Sequence, residues 1–445
     1  MKGAKLAILA GGKGTRLATR STNLPKPMVP ILGSPVLEHL ISLARKFGFY
    51  DILLLVHHQH EIIEQYFGDG SHFGVRIQYQ LEREARGTAG ALRDALPKLA
   101  DQFLLMYGDT FADVNLKKLW QSHREKKPDA TLVLHPNDHP ADSDLIEVND
   151  HGRVIAVHPY PRIGDSDYAN LVNAALYVMN RAGIADLISE HEPSDIARDL
   201  FPRMLQNGQF LQAYITPEYI KDMGTPARLD RVLADIQSGR VERLSARHLR
   251  SAVLIDRDGT LNVEKGHLND PNELELIPNA GEAIRQLNEA GLLAIVITNQ
   301  PVIARGELSF KGLKQIHARL DSLLGQKNAY LDGLYFCPHH PDRGFAGEVA
   351  SLKKVCSCRK PKTGLINRAI KEFSIDPKSS WIIGDSTSDI AAGKAANLRT
   401  ILVKTGIAGN DARCSVEPDH VAADIGDAVR LILSHSLNSV QEDAK

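Results

Sequence analysis

The chain is poor in cysteine, with four in 445 residues. Secreted disulfide scaffolds are short and rich in cysteine, so this composition speaks against a disulfide framework. Long apolar runs are also absent, and no run approaches the roughly 20 residues that cross a bilayer. The opening MKGAKLAILAGG leads from a short apolar stretch straight into glycines, unlike a secretory signal peptide. These absences predict a cytoplasmic protein with no membrane partner.

An excess of charge of either sign is lacking too. Lys and Arg number 53 against 54 Asp and Glu, which leaves no net field to attract nucleic acid or anionic lipid. We therefore expect small-molecule partners and no nucleic acid, with a homo-oligomer left open. The hydrophobic content of 43% and the length are enough for two or three domains with their own cores.

Short apolar runs alternate with helical patterns twice along the chain. The first series of predicted strands is KLAILA, DILLLVHH, RIQYQ, QFLLMYGD, ATLVLH and AALYVM, and the second is SAVLID, LLAIVITN, SWIIGD and RTILVKTG. A helical pattern separates the first two runs of each series, which is typical of βαβ units and a parallel-rich sheet. The prediction is an α/β protein with domains at 1–238 and 251–436, a linker at 239–250 and a tail at 437–445.

A glycine loop follows the first predicted strand. Gly11, Gly12 and Gly14 let backbone N–H groups approach phosphate oxygens, which suits a triphosphate, although a tight turn would use the same residues. Lys26 lies between two prolines, where a stiff backbone would present its charge to an anion, or where it is incidental to a surface turn.

Five motifs occur in the order GGKGTRL, LPKPMVPI, GTAGAL, YGD and KDMGTP. Together they resemble the sugar-1-phosphate nucleotidyltransferase family over residues 4–236. The resemblance implies a Rossmann-like domain with a GT-A-like mixed sheet that joins an NTP to a sugar 1-phosphate and releases pyrophosphate. In-line attack on the α-phosphorus would depend on positioning and charge neutralisation.

The same resemblance implies roles for particular residues. Arg16 and Lys26 would act on the phosphates, Asp109 and Asp222 would bind Mg²⁺, and Asn173 would contact the sugar. The residues expected at the nucleotide are Gly11, Gly12, Gly14, Thr15, Glu82, Gly87 and Thr88.

Three features of this half have more than one interpretation. Glu82 could accept hydrogen bonds from guanine, but a carboxylate here is not decisive for the base. His57, His58 and His60 lack a carboxylate or thiolate companion, so we interpret them as residues of a surface loop. The family's Glu-Lys-Pro tripeptide is replaced by VHPYPR around His158, which leaves the sugar open.

Two aspartates follow the first strand of the second series, in SAVLIDRDGTLN. Asp256 and Asp258 are two residues apart, so on an extended chain they point the same way and share one site. One can then act as nucleophile and the other as acid and base. A solvated turn is the alternative that these residues alone leave open.

DRDGTLN, TNQ, CPHH, CSCRKPKTG and GDSTSD together resemble the haloacid dehalogenase (HAD) phosphatase superfamily over residues 251–435, in the branch of heptose 1,7-bisphosphate and histidinol phosphatases. The resemblance implies a nucleophile at Asp256 and an acid and base at Asp258. Further implied residues are Thr298, Arg359 and Lys360 at the phosphate, and Asp256, Asp258 (through its backbone carbonyl) and Asp385 at Mg²⁺. Pro301 and Val302 depart from the usual Ser-Gly beside the substrate.

Three of the four cysteines are crowded between residues 337 and 358. Cys337, His339, Cys356 and Cys358 have the spacing of a closed tetrahedral Zn²⁺ site, and the family's zinc loop matches the same positions. Free buried thiols are the alternative, and His340 competes with His339 as the ligand. The expected role is structural, since full N/S coordination leaves no position open for water.

The pairing of the two halves resembles the GDP-heptose pathway. It implies that the second half removes the 7-phosphate of D-glycero-D-manno-heptose 1,7-bisphosphate and the first half transfers GMP from GTP to the α-anomeric heptose 1-phosphate. The same chemistries could serve mannose 1-phosphate with GTP, or another hexose phosphate with UTP or CTP. A non-catalytic binding module in one half is a further alternative.

Overall fold

The chain forms two compact units. The computed structural model describes residues 4–12, 24–162, 164 and 166–442, with residues 436–442 described by their backbone alone. The first unit takes in the described residues of 1–135, 142–162 and 171–245, and the second those of 136–141, 163–170 and 246–445.

The first unit is built from thirteen strands and seven helices within its described residues. Its strands are β1 (Lys5–Leu9), β2 (Pro30–Ile31), β3 (Ser34–Pro35), β4 (Asp51–Val56), β5 (Arg76–Leu81), β6 (Gln102–Tyr107), β7 (Thr110–Asp113), β8 (Ala130–His135), β9 (Leu145–Val148), β10 (Val154–His158), β11 (Val172–Asn180), β12 (Leu211–Ile215) and β13 (Tyr219–Asp222). Its helices are α1 (Val36–Lys46), α2 (His60–Phe67), α3 (Gly87–Ala95), α4 (Leu116–Lys126), α5 (Phe201–Gln206), α6 (Pro226–Gln237) and α7 (Arg240–Leu244). Helix α7 lies in the stretch expected to be a linker.

The main sheet of the first unit is mixed. Its order is β10-β9-β11-β6-β1-β4-β5, and β8 pairs with both β11 and β12. Strands β6, β1, β4 and β5 run parallel, whereas β11 is antiparallel to β6. Parallel neighbours bring their carboxyl ends to one edge of the sheet, where the residues that follow them can share a site.

Strand β1 is apolar from Leu6 to Leu9 because both of its faces are covered. Leu6 and Ile8 pack into one core and Ala7 into another on the opposite face. Burial on both faces replaces the alternation of a half-exposed strand by a continuous apolar run. The parallel-rich sheet is predicted from the alternation of such runs with helical patterns.

A separate two-stranded ribbon joins distant parts of the first unit. Strand β13 pairs antiparallel with β7, so Asp222 lies opposite Thr110, and the Met223 N–H donates to the Asp109 carbonyl at 3.0 Å. Asp222 is thereby brought beside the turn that contains Asp109, although the two aspartates are more than a hundred positions apart in sequence.

The second unit has a fully parallel six-stranded sheet. Its strands are β14 (Ala252–Ile255), β15 (Leu293–Asn299), β16 (Gly333–Cys337), β17 (Trp381–Gly384), β18 (Arg399–Val403) and β19 (His420–Ala422), in the order β16-β15-β14-β17-β18-β19. Its helices are α8 (Ala280–Ala290), α9 (Pro301–Ala304), α10 (Phe310–Gly325), α11 (Gly364–Phe373), α12 (Thr387–Ala395) and α13 (Ile425–Glu442). Helices α8, α10 and α13 cover one face with apolar side chains.

The α/β architecture with two domains is confirmed, and every apolar run predicted as a strand contains one. The sequence patterns missed nine strands of five residues or fewer, which are too brief to show a clear period. These are β2, β3, β7, β9, β10, β12, β13, β16 and β19. Among the described residues, no helix has both the length and the apolar content needed to span a bilayer.

Two helical glycines allow a matched test of packing in the second unit. A Cβ on Gly393 of α12 would lie 2.2 Å from Ile382 Cγ2 in β17, whereas one on Gly426 of α13 would come no nearer than 3.1 Å, to Asp424 Oδ1. We expect Gly393→Ala to lower the free energy of unfolding by about 1–3 kcal/mol through overpacking. Gly426→Ala should be neutral or stabilising, since alanine favours a helix over glycine by up to about 1 kcal/mol. Urea unfolding checks both, and equal losses would contradict the packing.

Candidate active sites and metal centre

A cavity of about 400 Å³ opens at the carboxyl ends of the parallel strands in the first unit. Its described lining is formed by Leu9, Gly11, Gly12, Lys26, Pro27, Leu55, His57, Glu82, Ala85, Gly87, Thr88, Ala91, Tyr107 and Asp109. The structure therefore gathers most of the residues predicted at the nucleotide. Gly14, Thr15 and Arg16 lie outside the described residues.

Gly87 cannot be replaced without strain, because its φ is +75° and a Cβ there would lie 2.4 Å from the Ser194 carbonyl oxygen. The Ser194 N–H in turn donates to the Arg86 carbonyl at 2.9 Å. The Thr88 hydroxyl donates to Asp195 Oδ2 at 2.8 Å, so it anchors the same neighbouring segment. The GTAG motif thus forms one wall of the cavity and fastens that wall to residues 194–195.

Glu82 and His57 lie next to each other in the cavity. Glu82 Oε1 accepts from the Arg86 N–H at 2.9 Å, and the Glu82 carbonyl accepts from His57 Nδ1 at 2.8 Å. The sequence reading missed His57 as a cavity residue, since a histidine after a strand carries no signal of its own. A Cβ on Gly11 would lie 3.0 Å from His57 Cβ, so a larger residue at position 11 would crowd the histidine.

Two carboxylates of the first unit are each paired with a cation. Lys26 Nζ forms an ion pair with Asp109, and Arg228 Nη1 donates to both oxygens of Asp222, at 2.9 and 2.7 Å. Burial opposes ionisation of Asp222, but Arg228, the Gly224 N–H and the charge of Lys26 together hold its pKa below the ordinary value. Asp222 is therefore ionised, and the hard carboxylate oxygens of these two aspartates fit Mg²⁺.

Asn173 is placed apart from these residues. It lies on β11, its side-chain oxygen accepts from the Ala175 N–H at 3.2 Å, and it is not among the residues that line the cavity. Its expected contact with a sugar stays a prediction.

A second cavity, of about 250 Å³, opens at the carboxyl ends of β14, β15 and β17 in the second unit. It brings together every residue predicted for the phosphatase chemistry. These are Asp256, Asp258, Thr298, Arg359, Lys360 and Asp385. Pro301 and Val302, the departures from the family pattern, also line it.

The Lys360 ammonium lies at the centre of this cavity, with a side chain only 2% exposed. It is 2.8 Å from Asp256 Oδ1 and 2.6 Å from Asp389 Oδ1, and it donates to the Ile297 carbonyl at 2.6 Å. Burial favours the neutral amine, but the two carboxylates outweigh it and raise the pKa of Lys360. The lysine is thus a permanent buried cation.

Three carboxylates meet around that cation, and they fit a metal. Asp256, Asp385 and Asp389 each offer an oxygen within 4.8 Å of the others. Burial and the charge of Asp389 hold the pKa of Asp256 well above its ordinary value, and burial raises the pKa of Asp385 to about 7. One lysine cannot neutralise three such groups, so the donor set suits a divalent cation.

Two glycines make room for Asp385. A Cβ on Gly259 would lie 2.3 Å from Asp385 Oδ2, and one on Gly406 would lie 2.2 Å away. The same oxygen accepts from the Ile407 N–H at 2.7 Å, which fixes the orientation of the carboxylate. Gly259 of DGTLN therefore leaves space for the Asp385 carboxylate of GDSTSD. The spacing of these two motifs in the sequence does not reveal this contact.

Asp258 is held differently from Asp256. Both of its oxygens accept from Arg257 Nη2 at 2.8 Å, Oδ1 accepts from Asn262 at 3.0 Å, and Oδ2 accepts from Gln300 at 2.7 Å. Burial would raise the pKa of Asp258, but Arg257 and the hydrogen bonds lower it. The sequence reading missed Arg257, whose side chain is 1% exposed, because an arginine between two aspartates looks like a surface residue.

Gln300 also connects the cavity residues, since its Nε2 donates to Thr298 Oγ1 at 2.9 Å.

Another cation, Arg305, also lines this cavity. Its Nη1 lies 2.5 Å from His267 Nε2, and its guanidinium stacks 4.9 Å from the Phe345 ring centroid. These contacts hold a cation in the same cavity as the residues predicted to bind phosphate. Arg305 and His267 were not predicted, because neither is close in sequence to the aspartates.

The crowded cysteines form a compact cluster with one histidine. Cys358 Sγ lies 3.2 Å from Cys337 Sγ, 3.3 Å from Cys356 Sγ and 3.2 Å from His339 Nδ1. The edges of a tetrahedral zinc–thiolate site are roughly 3.8 Å, calculated from a Zn–S bond of about 2.3 Å, so the four donors fit a zinc ion. His340 lines the second cavity instead.

Comparison with known proteins agrees with both halves. A Nucleotidyl transferase family model matches residues 5–239, which is more than half of the chain, and a HAD-hydrolase-like model matches residues 357–428. The chain belongs to the nucleotidyl transferase family and carries a HAD phosphatase as its second half.

Curated relatives of the second half have a more particular name. D-glycero-beta-D-manno-heptose-1,7-bisphosphate 7-phosphatase of Pasteurella multocida is 41% identical over 159 residues, covering 36% of this chain and 84% of that protein. The Escherichia coli K12 protein of the same name is 38% identical over 156 residues, covering 35% of this chain and 80% of that protein.

Among solved structures, a crystal structure of HddC from Yersinia pseudotuberculosis with GMP-PN has a TM-score of 0.45 at 24% identity, covering 52% of this chain and 99% of that chain.

The cysteine cluster leads to a test by metal content. We expect the purified protein to hold about one zinc per chain by mass spectrometry, and Cys356→Ser to lose most of it, because zinc binding provides folding energy for such loops. The variant should also lower the midpoint of thermal unfolding. Cys414→Ser is the matched control, since Cys414 is not among the four clustered residues and should keep both properties. A zinc-free parent protein would contradict the assignment.

Proposed function

We propose that this chain prepares a nucleotide-activated heptose in two reactions. The second unit removes the 7-phosphate of D-glycero-D-manno-heptose 1,7-bisphosphate, and the first transfers GMP from GTP to heptose 1-phosphate, giving GDP-heptose and pyrophosphate. The observation that carries the proposal is that one chain joins a nucleotidyl transferase to a half that matches most of the length of heptose bisphosphate phosphatases.

The phosphatase reaction is supported by the arrangement around Lys360. An Asp256 oxygen attacks the phosphorus, a phosphoaspartate forms, and the bond from phosphorus to the sugar oxygen breaks while Asp258 supplies the proton. Water then attacks the phosphorus of the phosphoaspartate and gives a proton to Asp258. The bond between phosphorus and the Asp256 oxygen breaks, and inorganic phosphate is released. Lys360 and Thr298 neutralise and orient the phosphate oxygens.

Asp258 must leave its present hydrogen bonds to act in this way. In the structure it is an ionised carboxylate held by Arg257 and Gln300, so it has no proton to give. Protonation of Asp258 therefore accompanies a weakening of the Arg257 pair when the leaving group is bound. The neighbouring Gln300, which also touches Thr298, links this change to the phosphate position.

The transferase reaction is supported by the cavity in the first unit. The glycines and the N-terminal end of α3 suit phosphates and a base, while Lys26 supplies a cation close to Asp109. The sugar phosphate oxygen attacks the α-phosphorus of the NTP, and the bond to the pyrophosphate oxygen breaks. Positioning and charge neutralisation are the contributions of the protein.

Metal ions are assigned by the donor sets. Asp109 and Asp222 would hold Mg²⁺ in the first unit, and Asp256 and Asp385, with the backbone of Asp258, in the second. In both places Mg²⁺ would neutralise charge on phosphate oxygens. The cysteine cluster would hold a structural Zn²⁺ beside Arg359 and Lys360.

The base and the anomer are the finer parts of the proposal. Glu82 lines the cavity, and its carboxylate offers Oε2 besides the oxygen that accepts from the Arg86 N–H, which suits the adjacent N1–H and N2–H₂ donors of guanine. The curated relatives are named for the β-anomer, whereas transfer from GTP was expected with the α-anomer. Mannose 1-phosphate with GTP, another hexose phosphate with UTP or CTP, or a non-catalytic half remain the competing hypotheses.

The deciding experiment supplies each anomer of heptose 1,7-bisphosphate with Mg²⁺ and, separately, GTP, ATP, CTP or UTP. Products are followed by phosphorus NMR and mass spectrometry. Phosphate release followed by GDP-heptose, from the α-anomer and with GTP alone, is the expected result. Phosphate release without any nucleotide sugar would overturn the transferase substrate, and no reaction with either anomer would overturn the heptose assignment.

The two reactions should be separable by single substitutions. Asp256→Asn removes the nucleophile and is expected to lower phosphatase turnover at least about 10³-fold while nucleotidyl transfer stays within twofold. Asp109→Ala should do the reverse. Each activity is measured on its own substrate with both variants. Loss of both activities from either change would contradict two independent sites.

A further inference from the structure

Arg228 has no role in the reaction as described so far, yet it occupies one of the two carboxylates assigned to the metal. It lies in the first turn of α6, and one of its nitrogens, Nη1, donates to both oxygens of Asp222. Its other terminal nitrogen, Nη2, donates to Asp142 Oδ2 at 3.2 Å. The guanidinium thus bridges two aspartates.

The Asp222 carboxylate is fully engaged in the structure. Oδ1 accepts from the Gly224 N–H at 2.9 Å as well as from Arg228, and Oδ2 accepts from Arg228. A divalent cation bound to either oxygen would lie close to the Nη1 position, where two like charges repel. Metal binding and the Arg228 pair therefore compete for the same carboxylate.

The neighbouring carboxylate is in the same state, since Asp109 is paired with Lys26. The pair of aspartates is thus already neutralised by two side-chain cations, which leaves little attraction for a free metal ion. The phosphates of an NTP would add the negative charge that a metal needs there.

We propose that Arg228 is a guard cation that competes with the metal for Asp222, so that Mg²⁺ enters the first unit together with the NTP and binds weakly without it. This inference rests on the proposed transferase function and deepens it. It names the substrate as the metal–NTP complex and gives Arg228 a specific part in binding it.

The sign of the effect makes the proposal testable by metal binding alone. The full-length protein with Asp385→Asn, which weakens the metal site of the second unit, is titrated with Mn²⁺ without nucleotide and followed by electron paramagnetic resonance. Arg228→Met removes the charge but keeps much of the length, and should bind Mn²⁺ about tenfold more tightly than the parent. Arg228→Lys, which keeps a cation, should stay within about threefold of the parent.

Two controls test whether the tighter Mn²⁺ binding depends on Asp222. Arg231→Met, on the same helix, removes the partner of Asp235 at 3.0 Å and should leave Mn²⁺ affinity unchanged. Adding Asp222→Asn to Arg228→Met should abolish the gain. Unchanged Mn²⁺ binding by Arg228→Met would show that Arg228 does not compete with the metal, and weaker binding would show that it orients Asp222 for the metal. Either result would overturn the proposal. Failure of the parent to transfer GMP would count against the proposed function and leave this comparison intact.

Discussion

Carboxylates gathered at the ends of parallel strands need cations, and both units are organised by that requirement. In the second unit Lys360 lies between Asp256 and Asp389 with almost no exposure to water. Removing one partner of such a buried pair costs about 3–5 kcal/mol, because the other charge is left uncompensated. The positions of β14, β15 and α12 around the cavity therefore depend on this one ammonium group.

The first unit meets the same requirement with more exposed pairs. Lys26 and Arg228 each neutralise one aspartate, and Asp222 and Arg228 keep 40% and 24% of their side chains exposed. Exposed pairs contribute little to stability, so separating one costs less than separating the buried pairs of Lys360. A difference in burial therefore distinguishes Lys360, on which the fold of the second unit depends, from the two more exposed cations of the first unit.

Much of this could be predicted from the sequence, because strands buried on both faces and motifs at their carboxyl ends leave a local signal. Asp256, Thr298, Lys360 and Asp385 were expected at one site and lie around one cavity. What the sequence did not reveal depends on long-range contacts. Arg257 is buried between Asp258, which Gln300 also contacts, and His317 at 3.3 Å, and Arg305 is held by His267 and Phe345 from other segments. No local period or spacing records such contacts.

The ion pair between Arg257 and Asp258 also affects the stability of the second unit at low pH. Arg257 is among the largest fully buried side chains, and a guanidinium cannot lose its proton, so folding depends on an ionised partner. The folded pKa of Asp258 is below its unfolded value of about 3.9, so the pair stabilises the fold above that pH. This stabilisation is lost as the pH falls through the folded pKa. The group that handles the proton in the proposed reaction thus also contributes to the acid limit of the fold.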